Sequence, residues 1–562
     1  MKKNIILSLI FCGFCLCSCS ELDLTPLAKG TNENWYSNEK EITMAINDLY
    51  HHDFWPTMNE RWTDDEIMRN QLNVFISGTV TGQSGEVTGV WSNQYKAVAR
   101  ANTILSHLEG IPENILLSAK KDQMRGEALF MRACRFADLI SLFGDVPFVT
   151  EVIDIEEAFQ IGRTDKKQII EATYADFDEA AKLLPESSGT MQRATKGAAY
   201  AMKARFALYN SDWQVVIDAT EECMRLGYKL YPDYSELFLT TTHNTEESIF
   251  SLPRSIPDNI GVIQGVWYTI RNAGGWAGYI PSWDLLAGYT CTDGLPIDES
   301  PLFDPHDPFK NRDPRCCKSI VPFNSQFCGF TYAPHPDSLE VYNNNTGNWQ
   351  TNSDNRANAQ YASFNALLWK KGIDETWLQN GGKVDPDRII MRYADVLLMY
   401  AEAKIELNKI DESVLNAINQ VRARAYGVDV NATSQYPAVT ETNQQKLRTI
   451  LRMERRMELA KEGLRYMDLV RWRLLEKTMT KKNYGILYPA EDLREKVTSK
   501  GHWFWASTPS IDENGLADFT ELEKKGVIFP LSQRSFNERQ YLWPIPTKEI
   551  LINENIKQNP GY

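Results

Sequence analysis

A chain of 562 residues, 43% of them hydrophobic and 24% charged, has the composition of a soluble globular protein with one large core or several domains. Its 74 acidic and 60 basic residues leave a net charge of −14, and no basic stripe offsets it. Such a surface repels phosphate backbones, which argues against a nucleic-acid partner. The 15 Trp, 24 Tyr and 23 Phe exceed what core packing needs, so some rings are expected to line a binding surface.

The amino terminus has the pattern of an export signal. Two lysines precede the apolar run Ile5–Leu16, which is too short to span a bilayer but suits a signal-peptide core. The run ends in LCSC, residues 16–19, which resembles a bacterial lipobox. We predict a lipoprotein signal peptide over 1–18, lipidation of Cys19, and a lipid-anchored tether over 19–35. A plain secretory signal with incidental cysteines is the alternative.

Cysteine and histidine spacing predicts neither a metal site nor a cofactor. The cysteines after the signal are Cys134, Cys223, Cys291, Cys316, Cys317 and Cys328. They match no zinc motif, and free thiols are the default, with a disulfide among the last three as the alternative. The only close histidines are His51 and His52, and adjacent side chains on a helix or strand point in different directions.

Apolar residues recur at helical spacing in two blocks of the chain, about 36–230 and 386–477. One predicted helix face in the first block consists of Leu129, Ala133, Phe136, Ile140 and Phe143, and Gly144 and Pro147 end the pattern. Similar faces in the second block consist of Tyr393, Val396, Tyr400, Ala403 and Leu407, then Val414, Ile418, Val421 and Ala425, then Ile450, Met453, Met457 and Ala460. Small residues at such contact positions favour closely paired helices.

The organisation predicted from these blocks is one mainly α domain with minor β structure over 36–562. Phe177, Ala180 and Pro185 match the second half of a tetratricopeptide repeat, which favours a scaffold of helix pairs. The segments 231–385 and 478–545 are long, irregular and rich in Gly, Pro, Asn and aromatics. Segments of that kind inside a compact protein are usually functional.

No catalytic residues are predicted. The chain has no HExxH, GxSxG or P-loop motif. Its most concentrated carboxylates are Glu454, Glu458, Glu462 and Asp468, interleaved with Arg455, Arg465 and Arg471. A general acid needs a raised pKa, which neighbouring guanidinium groups oppose, so these carboxylates are predicted to form salt bridges inside the scaffold. Two loop carboxylates brought together by folding, as in a lipid-anchored glycoside hydrolase, are the alternative.

Glycan binding requires flat rings that cover the apolar face of a sugar and polar groups that meet its hydroxyls. The segment "VWYTIRNAGGWAGYIPSWD" supplies the candidates Trp267, Tyr268, Arg271, Asn272, Trp276, Tyr279 and Trp283. The segment "VYNNNTGNWQTNSDNRANAQY" supplies Tyr342, Trp349 and Gln350, together with Arg356. Trp91 ends a third, Gly/Thr/Ser-rich loop and is expected to anchor a helix over Tyr95–Leu108 while that loop reaches a ligand. The alternative for each Trp is packing beneath the loops.

Several phrases occur together in a recognisable order. They are "RGEALFMRACRFADLISLFGDVPFV", "GAAYAMKARFALYNSDW", "YTCTDGLPI" with "DPFKNRDPR", "MRYADVLLMYAEA", "INQVRARA", "LRMERRMELAKEGLRYMDLVRW" and "YLWPIPTKEILINENIKQNPGY". Spanning 125–562 behind a lipobox, they resemble the SusD/RagB family of outer-membrane nutrient-binding lipoproteins of Bacteroidetes. The resemblance implies a tetratricopeptide-like scaffold, a shallow glycan site on loops, no catalytic residues, and a SusC-like TonB-dependent transporter that the lipoprotein covers as a lid.

The resulting prediction is a surface-exposed lipoprotein of the outer membrane that captures an oligosaccharide and hands it to the transporter. The acidic surface and Asn-rich loops favour a neutral glycan. The alternatives are a peptide or glycopeptide ligand, a lipid-anchored hydrolase, and a scaffold that binds only its transporter.

Overall fold

The structure, a computed structural model, describes residues 35–56, 58–189 and 192–562. The predicted signal peptide, Cys19 and nearly all of the predicted tether lie outside the described residues. Within those three ranges, no helix combines the length and the apolar character that a membrane crossing requires. The six cysteines considered above are free thiols, and all but Cys317 are buried.

Helices dominate the described chain and confirm the prediction of a mainly α fold. Their bounds are α1 Glu39–Asp48, α2 Gly85–Gly110, α3 Ser118–Phe143, α4 Ile155–Ala158, α5 Lys166–Leu183, α6 Lys196–Asn210, α7 Trp213–Met224, α8 Trp283–Gly288, α9 Pro314–Ser319, α10 Thr376–Gln379, α11 Tyr393–Glu406, α12 Glu412–Ala425, α13 Gln444–Glu458, α14 Arg465–Arg471, α15 Leu475–Met479, α16 Thr520–Lys524 and α17 Thr547–Ile552.

Short antiparallel strands supply the minor β structure. Their bounds are β1 Glu66–Ile67, β2 Ser248–Leu252, β3 Ile263–Gln264, β4 Ile280–Pro281, β5 Gln326–Phe327, β6 Phe330–Thr331, β7 Glu340–Asn343, β8 Asn348–Thr351, β9 Lys383–Val384, β10 Arg388–Arg392, β11 Lys482–Gly485, β12 Ser510–Ile511, β13 Ala517–Asp518 and β14 Phe529–Gln533. They pair as β1–β4, β2–β10, β3–β9, β11–β14 and β12–β13, with β5 to β8 in one four-stranded sheet.

The helix α3 illustrates how the apolar pattern becomes packing. The predicted face from Leu129 to Phe143 is buried, and the helix ends where Gly144 adopts a positive φ of 74°. Glycine is favoured there because, having no Cβ, it adopts a positive φ without a steric penalty.

The two helical blocks share one core. The helices α2, α3, α5, α6 and α7 pack against one another in chain order, and α11 packs on α7, α12 and α13. Phe130 and Phe206 from the first block and Leu397 from the second accordingly belong to the same buried cluster. The scaffold is therefore one helical body, as predicted.

The start of α2 differs from the prediction. The helix begins at Gly85 rather than near Tyr95, so much of the expected Gly/Thr/Ser loop is helical. Trp91 is 4% exposed and packs 4.9 Å from the ring of Tyr95 and 5.0 Å from that of Phe143. The structure contradicts its candidacy as a ligand-binding ring and supports its role as a helix anchor.

The predicted salt bridges are confirmed, although many partners come from distant segments. The carboxylate of Glu458 lies 2.6 Å from Arg392 and 3.0 Å from Arg315, and Arg424 also donates to it. Burial alone would raise the pKa of Glu458, but the three guanidinium groups outweigh it and hold the pKa well below its usual range. A permanently ionised carboxylate of this kind serves the scaffold and not acid catalysis. We call the buried ion pairs around Glu454 and Glu458 the ionic seam.

Candidate functional site

The first predicted aromatic segment, residues 266–284, forms most of a loop whose two arms are tied together. The pairing of β3 with β9 anchors one arm, and the pairing of β4 with β1 anchors the other. Between them the Trp276 amide donates to the carbonyl of Val266 at 2.6 Å, and the Gly278 amide donates to that of Trp267 at 2.8 Å. Trp276 therefore stands on a fixed backbone.

Glycines make this turn possible. Gly274 has a φ of 94°. A Cβ on Gly275 would lie 2.4 Å from the Thr269 carbonyl oxygen, and a Cβ on Gly278 would lie 2.7 Å from the ring of Trp267. Any larger residue at these two positions would push the arms apart.

Aromatic rings pack together along this loop. Trp267 stacks on Tyr279 at 4.8 Å with an interplanar angle of 12°, and Trp276 meets Trp267 edge-on at 4.6 Å. Tyr268 contacts Tyr279 at 5.4 Å, and the guanidinium of Arg61 covers the Tyr279 ring at 4.1 Å. Trp276 is 45% exposed while the other three rings are half-buried, so three rings support one that faces solvent.

Trp283 does not join this group. It is 1% exposed, donates from Nε1 to the Asn365 carbonyl at 2.9 Å, and packs against Phe504 and Trp505. The structure contradicts its prediction as a ligand-binding ring, because it belongs to a second core beneath the loops.

Asp354 fixes the backbone at Arg271 and Asn272. The backbone amides of both residues donate to its carboxylate at 2.9 and 3.0 Å. The Asn272 side chain donates to Asn352 at 2.9 Å and accepts from the Ser353 backbone amide at 2.7 Å. The Asn272 side chain therefore fixes the loop and has little hydrogen-bonding capacity left for a ligand. Burial raises the pKa of Asp354 to about 6, although the two amides oppose that shift.

The second aromatic segment forms a separate hairpin. Tyr342 on β7 lies opposite Trp349 on β8, with ring centroids 5.7 Å apart. Trp349 is 68% exposed, whereas Gln350 turns back to accept from Asn343 at 3.2 Å. Among the described residues these two rings meet edge-on and contact no ring of the first loop, so the structure does not unite the two predicted segments in one aromatic cluster.

The structure adds four residues that the sequence did not single out, namely Arg69, Asn70, Tyr361 and Tyr488. The guanidinium of Arg69 lies 5.2 Å above the ring of Tyr361, which is 51% exposed. Arg69 donates from Nη2 to the Trp276 carbonyl oxygen at 2.6 Å and from Nε to the Tyr361 carbonyl oxygen at 3.3 Å. Arg271 Nη1 approaches the same Trp276 oxygen at 3.4 Å. Arg69 thus links the backbones of Trp276 and Tyr361, and Arg271 approaches the same Trp276 carbonyl oxygen beside it.

Polar groups continue this surface. The exposed side chain of Asn70 donates to the Tyr488 hydroxyl at 3.4 Å, and the Tyr488 ring stacks on Phe364 at 5.0 Å. The guanidinium of Arg356 lies 4.5 Å from the centroid of the same Phe364 ring. We call Arg69, Asn70, Arg271, Trp276, Arg356, Tyr361 and Tyr488 the loop face.

Positive charge is concentrated on the loop face. Burial lowers the pKa of Arg69, and repulsion from Arg271 and Arg356 lowers it further, while Tyr361 opposes the shift. Burial also lowers the pKa of Arg356, opposed by Glu491 and Tyr488. Like charges held this close favour an anion or a strong hydrogen-bond acceptor between them.

A cavity of about 350 Å³ lies between the helices and the loops. Its lining includes the buried carboxyl groups of Glu60 and Glu66, together with the side chains of Asp138, Asp387 and Glu462. Burial and the nearby Asp65 raise the pKa of Glu60 to about 8, and burial raises that of Glu66. Glu60 accepts from the Gly463 amide at 2.8 Å.

Both carboxyl groups are buried behind Arg61, which lies 3.9 Å from Glu66 and over the ring of Tyr279. A glycosidase needs its two carboxyl groups on either side of an accessible glycosidic bond. Glu60 and Glu66 are 7% and 2% exposed, so both carboxyl groups are nearly closed to bulk solvent. The described ranges also hold no group of three or more metal-ligating side chains.

Two family models match the chain. The model described as "SusD family" matches residues 246–562, and the model described as "Starch-binding associating with outer membrane" matches residues 30–208. The first match covers more than half of the chain and contains most of the loop face.

Curated and solved relatives agree. The chain is 26% identical to "SusD-like protein P25" of Formosa agariphila, over 88% of this chain and 94% of that one. It is 23% identical to a SusD-like protein of Bacteroides ovatus, over 100% and 96%. A crystal structure described as a SusD-like carbohydrate-binding protein of Bacteroides fragilis matches with a TM-score of 0.75 and 28% identity, over 92% and 99%. From the fold and these matches, the chain belongs to the SusD family.

Proposed function

We propose that this protein binds an oligosaccharide on the loop face and performs no catalysis on it. The observation that carries the proposal is the exposed Trp276 ring, which the packed rings of Trp267 and Tyr279 hold in place. A rigid ring loses little entropy when a sugar stacks on it. Arg69 donates to the carbonyl of the same residue, and the adjacent Asn70 and the Tyr488 hydroxyl supply further hydrogen-bonding groups on the loop face. The Bacteroides fragilis relative is described as carbohydrate-binding, which supports the same class of ligand.

The test is calorimetry or affinity electrophoresis over a panel of oligosaccharides, with a casein digest as the peptide arm. We expect dissociation constants in roughly the micromolar to millimolar range. Trp276→Ala should weaken binding about ten-fold or more, since an aromatic face contributes about 1.5 kcal/mol or more. Trp349→Ala is the matched control, because it removes a more exposed Trp from a different surface.

Three results would overturn this proposal. They are binding of peptides but of no glycan, unchanged binding in Trp276→Ala, or release of reducing sugar that Glu60→Gln or Glu66→Gln abolishes. The third result would assign the chain to the hydrolase alternative.

We infer further that the protein is lipidated on Cys19, faces outward from the outer membrane, and delivers its ligand to a SusC-like TonB-dependent transporter. The family-model description that refers to the outer membrane supports the location, and the LCSC pattern at residues 16–19 supports the anchor. Cys19→Ala should abolish palmitate labelling and release the protein from outer-membrane vesicles. Affinity purification of the native chain should recover a TonB-dependent transporter. Recovery of neither lipid nor transporter would contradict delivery by this route.

A further inference from the structure

We propose that the preferred ligand is an anionic glycan whose carboxylate or sulfate group binds between Arg69 and Arg271, beside Trp276. This inference rests on the proposed function, since it assigns the chemical class of the glycan bound at the loop face. It departs from the neutral glycan that the acidic composition favoured.

The first argument is the distance between the two charges. Arg69 Nη2 and Arg271 Nη1 lie 2.6 and 3.4 Å from one and the same oxygen, the carbonyl of Trp276. Two guanidinium groups that converge on a single neutral acceptor repel each other, and that acceptor cannot compensate two positive charges. An anion that bridges them would relieve the repulsion.

The second argument is that these arginines form no ion pair among the described residues, and Asp354 acts on Arg271 only at longer range. Within the described ranges no carboxylate lies within salt-bridge distance of Arg69, Arg271 or Arg356, whereas the buried arginines of the ionic seam each touch at least one. The carboxylate of Asp354 lies beneath the loop and receives the amides of Arg271 and Asn272. Glu491, which acts on Arg356, is exposed.

The third argument is unused donor capacity. Arg356 is 6% exposed, and its Nε–H has no hydrogen-bond partner. The buried Nε–H of Arg271 also lacks a partner. A guanidinium fork matches the two oxygens of a carboxylate or sulfate, and a buried donor without a partner carries a cost that such a ligand removes.

The fourth argument is location. Arg69 lies over the exposed ring of Tyr361 and donates to the backbone carbonyl of Trp276, whose ring is also exposed, so a sugar stacked on either ring would lie close to Arg69. In a protein with a net charge of −14, long-range attraction does not favour anions. The preference for an anionic glycan must then come from short-range contacts with the partly buried arginines.

The experiment compares matched pairs of ligands on the full chain by calorimetry. One arm uses an oligogalacturonate and its neutral methyl ester, and the other uses a sulfated galactan oligosaccharide and its desulfated form. In at least one arm the charged member should bind about ten-fold tighter or more, and 0.5 M salt should reduce that difference. The arm that shows the effect distinguishes carboxylate from sulfate.

Variants then locate the effect. Arg69→Gln with Arg271→Gln should remove the preference while the melting temperature stays near that of the wild type, and Arg69→Lys should retain part of it. Arg225→Gln removes one positive charge from an exposed site and is the control for net charge. If the double variant is unstable, the wild-type ligand pairs and the salt series still decide the matter.

The inference and the proposed function fail differently. Equal or tighter binding of the neutral member in both arms, with Trp276→Ala still defective, overturns the anionic preference and leaves glycan binding intact. Failure of every glycan to bind, charged or neutral, overturns both. A preference that survives in the double variant places the anion site elsewhere and overturns the assignment to Arg69 and Arg271.

Discussion

The ionic seam and the loop face use arginine in opposite ways. In the seam, Arg392 lies 2.8 Å from Glu247 and 2.6 Å from Glu458, and each carboxylate meets more than one guanidinium. On the loop face, Arg69 and Arg271 share one carbonyl oxygen and have no carboxylate partner among the described residues. A compensated arginine stabilises the scaffold, whereas an uncompensated one beside an exposed ring is available to a ligand.

The largest effect is expected in the seam. Glu458→Gln leaves three buried guanidinium groups short of one negative charge and should cost about 3–5 kcal/mol in free energy of unfolding. Urea denaturation of the wild type and the variant measures this cost. Glu222→Gln, which breaks an exposed pair with Arg225, is the control and should change little. Equal losses in the free energy of unfolding from the two substitutions would contradict the distinction between buried, compensated arginines and surface arginines.

A second large effect concerns a buried carboxyl group without a guanidinium partner. Glu60 has a pKa of about 8 in the folded protein against 4.5 when unfolded, so the folded state holds its proton more tightly. Its contribution therefore falls as pH rises from about 4.5 through 8. Melting temperatures measured from pH 5 to 8.5 should decline less in Glu60→Gln than in the wild type.

The seam gives the opposite dependence on pH. The pKa of Glu458 is depressed in the folded state, so its stabilisation is present above pH 4.5 and is lost as pH falls toward the lower folded value. Glu458→Gln should therefore lose less stability between pH 5 and 3 than the wild type does. Parallel pH profiles for both variants and the wild type would contradict these two assignments.

A smaller effect should follow from loosening the loop face. In Asp354→Asn only one side-chain oxygen remains for the amides of Arg271 and Asn272, so one of two hydrogen bonds is lost. We expect a loss of about 1–2 kcal/mol in local stability, faster amide exchange over residues 266–279, and glycan binding weakened a few-fold. Unchanged exchange in that segment would show that Asp354 does not support the loop.

Sequence pattern predicted the scaffold well because helices depend on neighbours three and four positions apart. The face from Leu129 to Phe143 is of this local kind and lies in a helix, and so does the second face from Tyr393 to Ala403. Its last member, Leu407, is instead the exposed residue that follows α11. The carboxylate of Glu458 was recognised as an ion-pair partner from interleaved arginines. Its actual partners Arg315 and Arg392 were not, because they lie 143 and 66 residues away.

The candidate site was predictable only in part, for the same reason. Trp276 was identified from local composition, and so was Trp283, which the fold buries. Nothing near Arg69 marks it, because its contacts with Trp276 and Tyr361 span 207 and 292 residues. These contacts form because β1 pairs with β4. The pairing of two short strands so far apart in the chain leaves no periodic pattern in the sequence.

The most direct test is a crystal structure of the chain with the tightest-binding oligosaccharide of the panel. A sugar ring stacked on Trp276, with an acidic substituent within hydrogen-bonding distance of Arg69 and Arg271, is the predicted result. A ligand on the Tyr342–Trp349 hairpin, or in the cavity beside Glu60, would contradict it.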